Sequence, residues 1–166
     1  MNQNNLLATL QENRFMQTEE QVTNFENALA EIAENPNENK LSAYHLILDD
    51  QCQQPEVMFS LIHFLESFDM EKQITAFIEV VPQLMITTPE WTRIIHNRIL
   101  NDVSACQVYQ NLLHSANLNT PHFFYHLLEE GKNSGEAKRS PTSMSNLSFM
   151  DTINKRSRGS GYEQVL

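Results

Sequence analysis

Few residues in this chain have the types and spacing that chemistry needs. His63 and Glu66 make a His-x-x-Glu step on one helical turn, a geometry that could serve a metal. Di-iron bundles use the opposite order, Glu-x-x-His, twice and with two further glutamates. No second copy exists here, and a histidine hydrogen-bonded near a helix carboxylate accounts for the pair. His122 and His126 stand four apart and share a helix face. A zinc protease sets glutamate beside the first histidine and adds a third ligand; the string here is His-Phe-Phe-Tyr-His, which reads as core or groove wall. Cys52 and Cys106 are too few for a disulfide framework and lack metal-ligand spacing; they fit a reducing compartment, and Cys106 reads as a packing cysteine. Residues 1–130 contain no glycine. That excludes a nucleophile elbow, a P-loop and a dinucleotide fingerprint from this stretch. The expectation is a protein that is not an enzyme and uses no catalytic residue, cofactor or metal.

What the chain has instead is charge. Residues 1–130 carry five basic and eighteen acidic side chains, a formal charge of −13, whereas residues 131–166 carry six basic and three acidic, or +3. A surface of that sign repels phosphate, so direct nucleic-acid binding by the body is disfavoured. It attracts and steers a basic partner. The candidate binding residues are Asp49, Asp50, Glu66, Asp69, Glu71, Glu90 and Asp102, which fall mostly at expected helix ends and turns. Asp69 and Glu90 also suit helix N-termini, where the macrodipole favours anions. Asp49 and Asp50 follow an expected helix C-terminus, where it does not.

The elements that must position these residues are helical almost throughout, by apolar spacing at steps of three and four. Leu6, Leu7 and Leu10 predict a first short helix. Thr18 and Gln21 form a capping box ahead of Val22, Phe25, Leu29 and Ile32. Asn35-Pro36-Asn37 breaks the chain, and Leu41, Tyr44, Ile47 and Leu48 predict a short helix ending near Asp50. Pro55, Pro89 and Pro121 each precede an apolar-periodic run, as proline does at a first helical position. Thr88 and Thr120 are placed to cap the latter two runs. Asp69 predicts the start of a helix bearing Ile74, Phe77, Ile78 and Val81, which Pro82 should end or kink. Ser104 with Gln107 predicts another. A proline-marked helix pair recurring at roughly 30–35 residues is the signature of an α-solenoid. The expected fold is therefore all-α, with stacked antiparallel helix pairs in a HEAT-like array.

All four glycines (Gly131, Gly135, Gly159 and Gly161) lie in residues 131–166. This Gly/Ser-rich, basic segment has little to bury and is expected to be a disordered tail on a 1–130 helical domain. No stretch approaches the roughly 20 apolar residues of a membrane span. The polar start MNQNN lacks the pattern of a secretory signal, which points to the cytoplasm.

Three strings carry a resemblance. Glu56-Val-Met-Phe-Ser-Leu-Ile-His-Phe-Leu-Glu-Ser-Phe-Asp69, Pro89-Glu90-Trp91 and Arg98-Ile-Leu-Asn-Asp102 resemble the immunity protein 30 family of bacterial polymorphic-toxin and contact-dependent inhibition systems. The likeness covers roughly residues 20–115, with Glu66, Asp69, Trp91, Arg98 and Asp102 matching the family's motif. It implies a cytoplasmic bacterial protein that binds a cognate toxin domain, often a nuclease, and blocks it stoichiometrically. It implies no catalytic residue. Trp91, Phe68 and Leu100 read as packing residues. A helical-repeat adaptor with some other protein partner is the alternative, and a His63/Glu66 metalloenzyme a third reading.

Overall fold

The computed structural model describes residues 2–115, and every regular element among them is helical. In chain order these are α1 (Gln3–Asn13), α2 (Glu19–Glu34), a 3-10 turn (Glu38–Lys40), α3 (Leu41–His45), α4 (Pro55–Glu66), α5 (Met70–Thr87), α6 (Pro89–Asn101) and α7 (Val103–Ser115). They fall into two compact units, Met1–Thr92 and the chain from Arg93 onward. The expected Pro121 helix, His122, His126 and the 131–166 tail lie outside the described residues.

In the first unit α1 and α2 form an antiparallel pair. Gln3 Nε2, at the start of α1, donates to the Asn35 carbonyl at the end of α2 over 2.7 Å. The turn between them needs one left-handed residue. With no glycine nearby, Met16 takes it at φ 50°, with its side chain fully buried. Left-handed backbone costs a non-glycine residue roughly 1–2 kcal/mol, comparable to the roughly 1.5–3 kcal/mol gained by burying a methionine side chain. Thr18 caps α2 through the Gln21 N–H at 3.2 Å, while Gln21 reaches back to the Gln17 N–H at 2.7 Å.

α2 packs on α4, α4 on α5, and α3 mainly on α5. The core is apolar at helical spacing: Phe25, Leu29 and Ile32 from α2, Met58, Leu61 and Leu65 from α4, Ile74, Phe77 and Val81 from α5. Tyr44 of α3 plugs the junction. Its ring meets Phe64 edge-on at 5.2 Å, and its hydroxyl donates to Gln3 Oε1 at 3.0 Å.

Two local expectations change. α3 stops at His45, short of Asp50, because Leu46 to Gln54 run as turns and loop. Pro82 does not end its helix: α5 continues to Thr87, with Leu84 buried beyond the proline. Packing of Val80, Val81 and Leu84 outweighs the local penalty. Pro82 still withholds an N–H from the Ile78 carbonyl. Proline in a helix interior is about 3 kcal/mol worse than alanine. Pro82→Ala is therefore expected to raise the unfolding free energy by about 1–2 kcal/mol in urea titration, the remainder going to lost ring contacts. A lowered midpoint would mean that the ring's packing outweighs the missing hydrogen bond.

In the second unit α6 meets α7 through a buried polar pair. His96 Nδ1 lies 3.0 Å from the Tyr109 hydroxyl, with the rings edge-on at 5.6 Å. Ile95, Ile99, Leu100, Cys106 and Leu113 are buried on the same two helices.

Candidate functional site

α5 begins where Asp69 accepts the Lys72 N–H at 3.1 Å, the cap expected of it. From there Glu71, Thr75 and Glu79 follow at four-residue steps and share one helix face. That face forms one wall of an open groove; the 3-10 turn and α3 form the other. Glu38, Asp69, Glu71 and Glu79 bring four carboxylates to the groove, against one ammonium, Lys72. Two polar contacts cross it. Lys72 pairs with Glu38, which raises the lysine's pKa. Ser42 Oγ donates to Glu79 Oε2 at 3.1 Å. Both groups on Lys72 and Glu38 are at least half-exposed, so their pairing contributes little to stability. The groove keeps a net negative lining and suits a cationic side chain.

Asp49 and Asp50 sit elsewhere and serve the fold. Asp50 Oδ1 and Oδ2 accept the N–H groups of Trp91 and Glu90 at 3.1 and 3.0 Å, and Oδ1 accepts the Thr88 hydroxyl at 2.7 Å. Asp50 thus caps α6 from forty residues away. Thr88 was expected to be that cap, but it is buried and donates to the aspartate instead. Nor do the two aspartates lie at a helix C-terminus, since α3 ends earlier. The negative charge rests on the N-terminus of α6, where the macrodipole favours it. Asp49 pairs with Arg14 Nε at 3.1 Å, and its carbonyl accepts the Trp91 indole N–H at 3.1 Å. Trp91 is buried against Phe59, edge-on at 5.0 Å.

The structure brings Asp69 and Glu71 together in the groove and sets Glu90 beside Asp50. Glu66 is exposed near the end of α4. Asp102 belongs to the second unit and caps α7 by accepting the Ala105 N–H at 2.8 Å. Ser104, the expected cap, is already inside that helix. Leu100 is buried as expected and Phe68 is half-buried. His63 and Glu66 are both exposed, and among the described residues no three of His, Cys, Asp and Glu converge as metal ligands. No helix among the described residues is long and apolar enough to cross a membrane.

The groove's Glu38, Ser42 and Glu79 were not among the sequence candidates. Glu79 carried a usable signal, lying two turns after Glu71 on the same face. Glu38 and Ser42 carried none, because only the packing of α3 on α5 brings them there.

No curated protein and no solved structure matches the chain. The model of the family described as immunity protein 30 matches residues 12–109, more than half of the chain, and spans α2 to α6 with their caps. On that match the chain belongs to the immunity protein 30 family, which makes it an immunity protein to a toxin.

Proposed function

We propose that this protein neutralises a cognate bacterial toxin domain by stoichiometric binding in the cytoplasm of the cell that makes both, as an inhibitor and not as an enzyme. The family match over residues 12–109 carries the reading. The acidic groove supports it: a nuclease toxin holds phosphate in a basic cleft, and a carboxylate-lined surface is complementary to such a cleft. Glu71 and Glu79, with Asp69 and Glu38, are the groups we assign to first contact. Glu66 and Glu90 are exposed carboxylates on the same unit and extend the negative field. We read Asp49, Asp50 and Asp102 as acting mainly through the fold. The successive hairpins α1–α2 and α4–α5, with α2 against α4, are consistent with a HEAT-like stack within a helical domain of residues 1–130.

The test is co-expression with the toxin domain encoded beside it. The full chain should protect the cell and co-purify at one to one; failure of both would sink the proposal. Glu71→Lys with Glu79→Lys should slow association roughly tenfold at low salt while changing dissociation little, because exposed charge acts mainly on encounter. Equal association rates for this variant and the wild type would move the contact to another surface.

A further inference from the structure

The α3 wall of the groove is held to α5 through a buried histidine. His45 is wholly excluded from solvent. Its Nδ1 lies 2.8 Å from the Leu41 carbonyl, which can only accept, so Nδ1 bears the hydrogen and Nε2 the lone pair. Nε2 faces the side-chain amide nitrogen of Gln73, itself buried on α5, at 3.4 Å. The imidazole also stacks, tilted, at 5.9 Å from Phe77. The Gln73 contact suits the neutral ring, whereas the Leu41 bond serves either form. A proton on Nε2 would set one donor against another where no water reaches.

No charge is at hand to compensate. The elements packed on α3 are the 3-10 turn, α4 and α5. Their titratable groups are Glu38 and Lys40, Glu56, His63 and Glu66, and Glu71, Lys72 and Glu79; all are exposed except Lys40, which is half-buried. On α3 itself the other titratable side chain is Tyr44, whose hydroxyl donates to Gln3. None of them perturbs the imidazole: burial dominates, opposed only by the Leu41 carbonyl. α3 is also short, a five-residue helix entered from a 3-10 turn and left by a loop.

We propose that His45 is an acid-released latch, whose protonation frees α3 from α5 while α4 and α5 stay folded. Opening lets the ring take up a proton at its ordinary pKa near 6.5, whereas the closed ring resists until about pH 4. The opening equilibrium therefore rises roughly tenfold per pH unit across that window, some 300-fold in all. Because Leu41 and Ser42 belong to the groove wall, opening dismantles the groove, and a partner seated between α3 and α5 is let go in acid. The latch itself does not depend on which partner binds there.

Amide hydrogen exchange on the full chain at pH 7, 6 and 5, corrected for intrinsic rates, reads the latch directly. The Leu46, Ile47 and Leu48 amides, bonded to the Ser42, Tyr44 and His45 carbonyls, should lose protection about tenfold per unit below pH 6.5. Amides of Leu61 in α4 and Phe77 in α5 should stay better protected than these at every pH, because they exchange only through a larger opening. His45→Asn should abolish the dependence. If that variant does not fold, Gln73→Glu sets a carboxylate opposite Nε2 and should shrink the slope. Protection that is flat with pH, that equals that of α4 at every pH, or that keeps its slope in these variants overturns the proposal.

Discussion

Asp50→Ala is expected to lower the unfolding free energy by about 3 kcal/mol, since it removes a charged cap that serves three donors at once. Asp50 accepts the Glu90 and Trp91 N–H groups and the Thr88 hydroxyl. Hydrogen bonds to a charged group are worth about 1.5–3 kcal/mol each in isolation. They share one side chain here, so their sum overstates the loss; a single helix cap is worth about 1–2 kcal/mol. The extra cost comes from Thr88, which is fully buried and would leave its hydroxyl without this acceptor. Asp50→Asn keeps an acceptor oxygen for the cap and loses only the charge on the macrodipole, so it should cost about 1 kcal/mol. Urea titration at pH 7 with an unchanged m-value is the measurement. A loss below about 1 kcal/mol for the alanine variant would mean that α6 does not depend on this cap. The pair also separates fold from function. If toxin binding weakens in Asp50→Ala but not in Asp50→Asn, the aspartate acts by positioning α6, not by touching the partner.

Asp50 also marks the limit of what the sequence makes legible. Local rules placed most of the helices. Thr18 and Asp69 cap the helices they precede, Pro55 and Pro89 open α4 and α6, and the buried positions of α2, α4 and α5 follow the expected apolar steps. These features depend on residues within a turn of one another. The misplacements arise where packing or a competing acceptor decides. Thr88 has the right type and position to cap α6, yet a stronger acceptor forty residues away takes the N–H groups and the threonine hydroxyl with them. Pro82 was expected to end or kink its helix, and α5 continues through it, with buried side chains on both sides of the proline. Asp102 displaced Ser104 by starting α7 two residues early.

The candidate site divides along the same line. Asp69 and Glu71 were legible because they sit at the start of one helix. The groove they line was not, since its second wall comes from α3 and the 3-10 turn, some thirty residues earlier. Charge composition pointed to a basic partner but could not distinguish carboxylates that hold helices from carboxylates that face outward. Asp49, Asp50 and Asp102 hold helices, and Glu71 and Glu79 face outward. Membership of the family supplies the class of partner, and the geometry supplies the surface to test first.

Acid should destabilise the second unit steeply, through His96. Its ring is buried between α6 and α7, and burial lowers its pKa to about 3. The unfolded chain binds a proton there below pH 6.5, whereas the folded chain does not until far lower. Stability from this residue is therefore complete above pH 6.5 and is lost as pH falls towards 3, by about 1.4 kcal/mol per unit. Between pH 7 and 4.5 His96 should cost roughly 2–3 kcal/mol. His96→Gln keeps a polar side chain and cannot titrate, so its unfolding free energy from urea titration should fall that much less over the same interval, whatever its stability at pH 7. Tyr109→Phe provides the contrast. Removing the hydroxyl should cost about 1 kcal/mol at pH 7 for the lost hydrogen bond. It should leave the slope nearly unchanged, because desolvation and not the hydroxyl depresses the imidazole. A Tyr109→Phe variant with a flattened slope would show instead that the hydrogen bond sets the pKa, and parallel curves for wild type and His96→Gln would show that His96 does not govern acid stability at all.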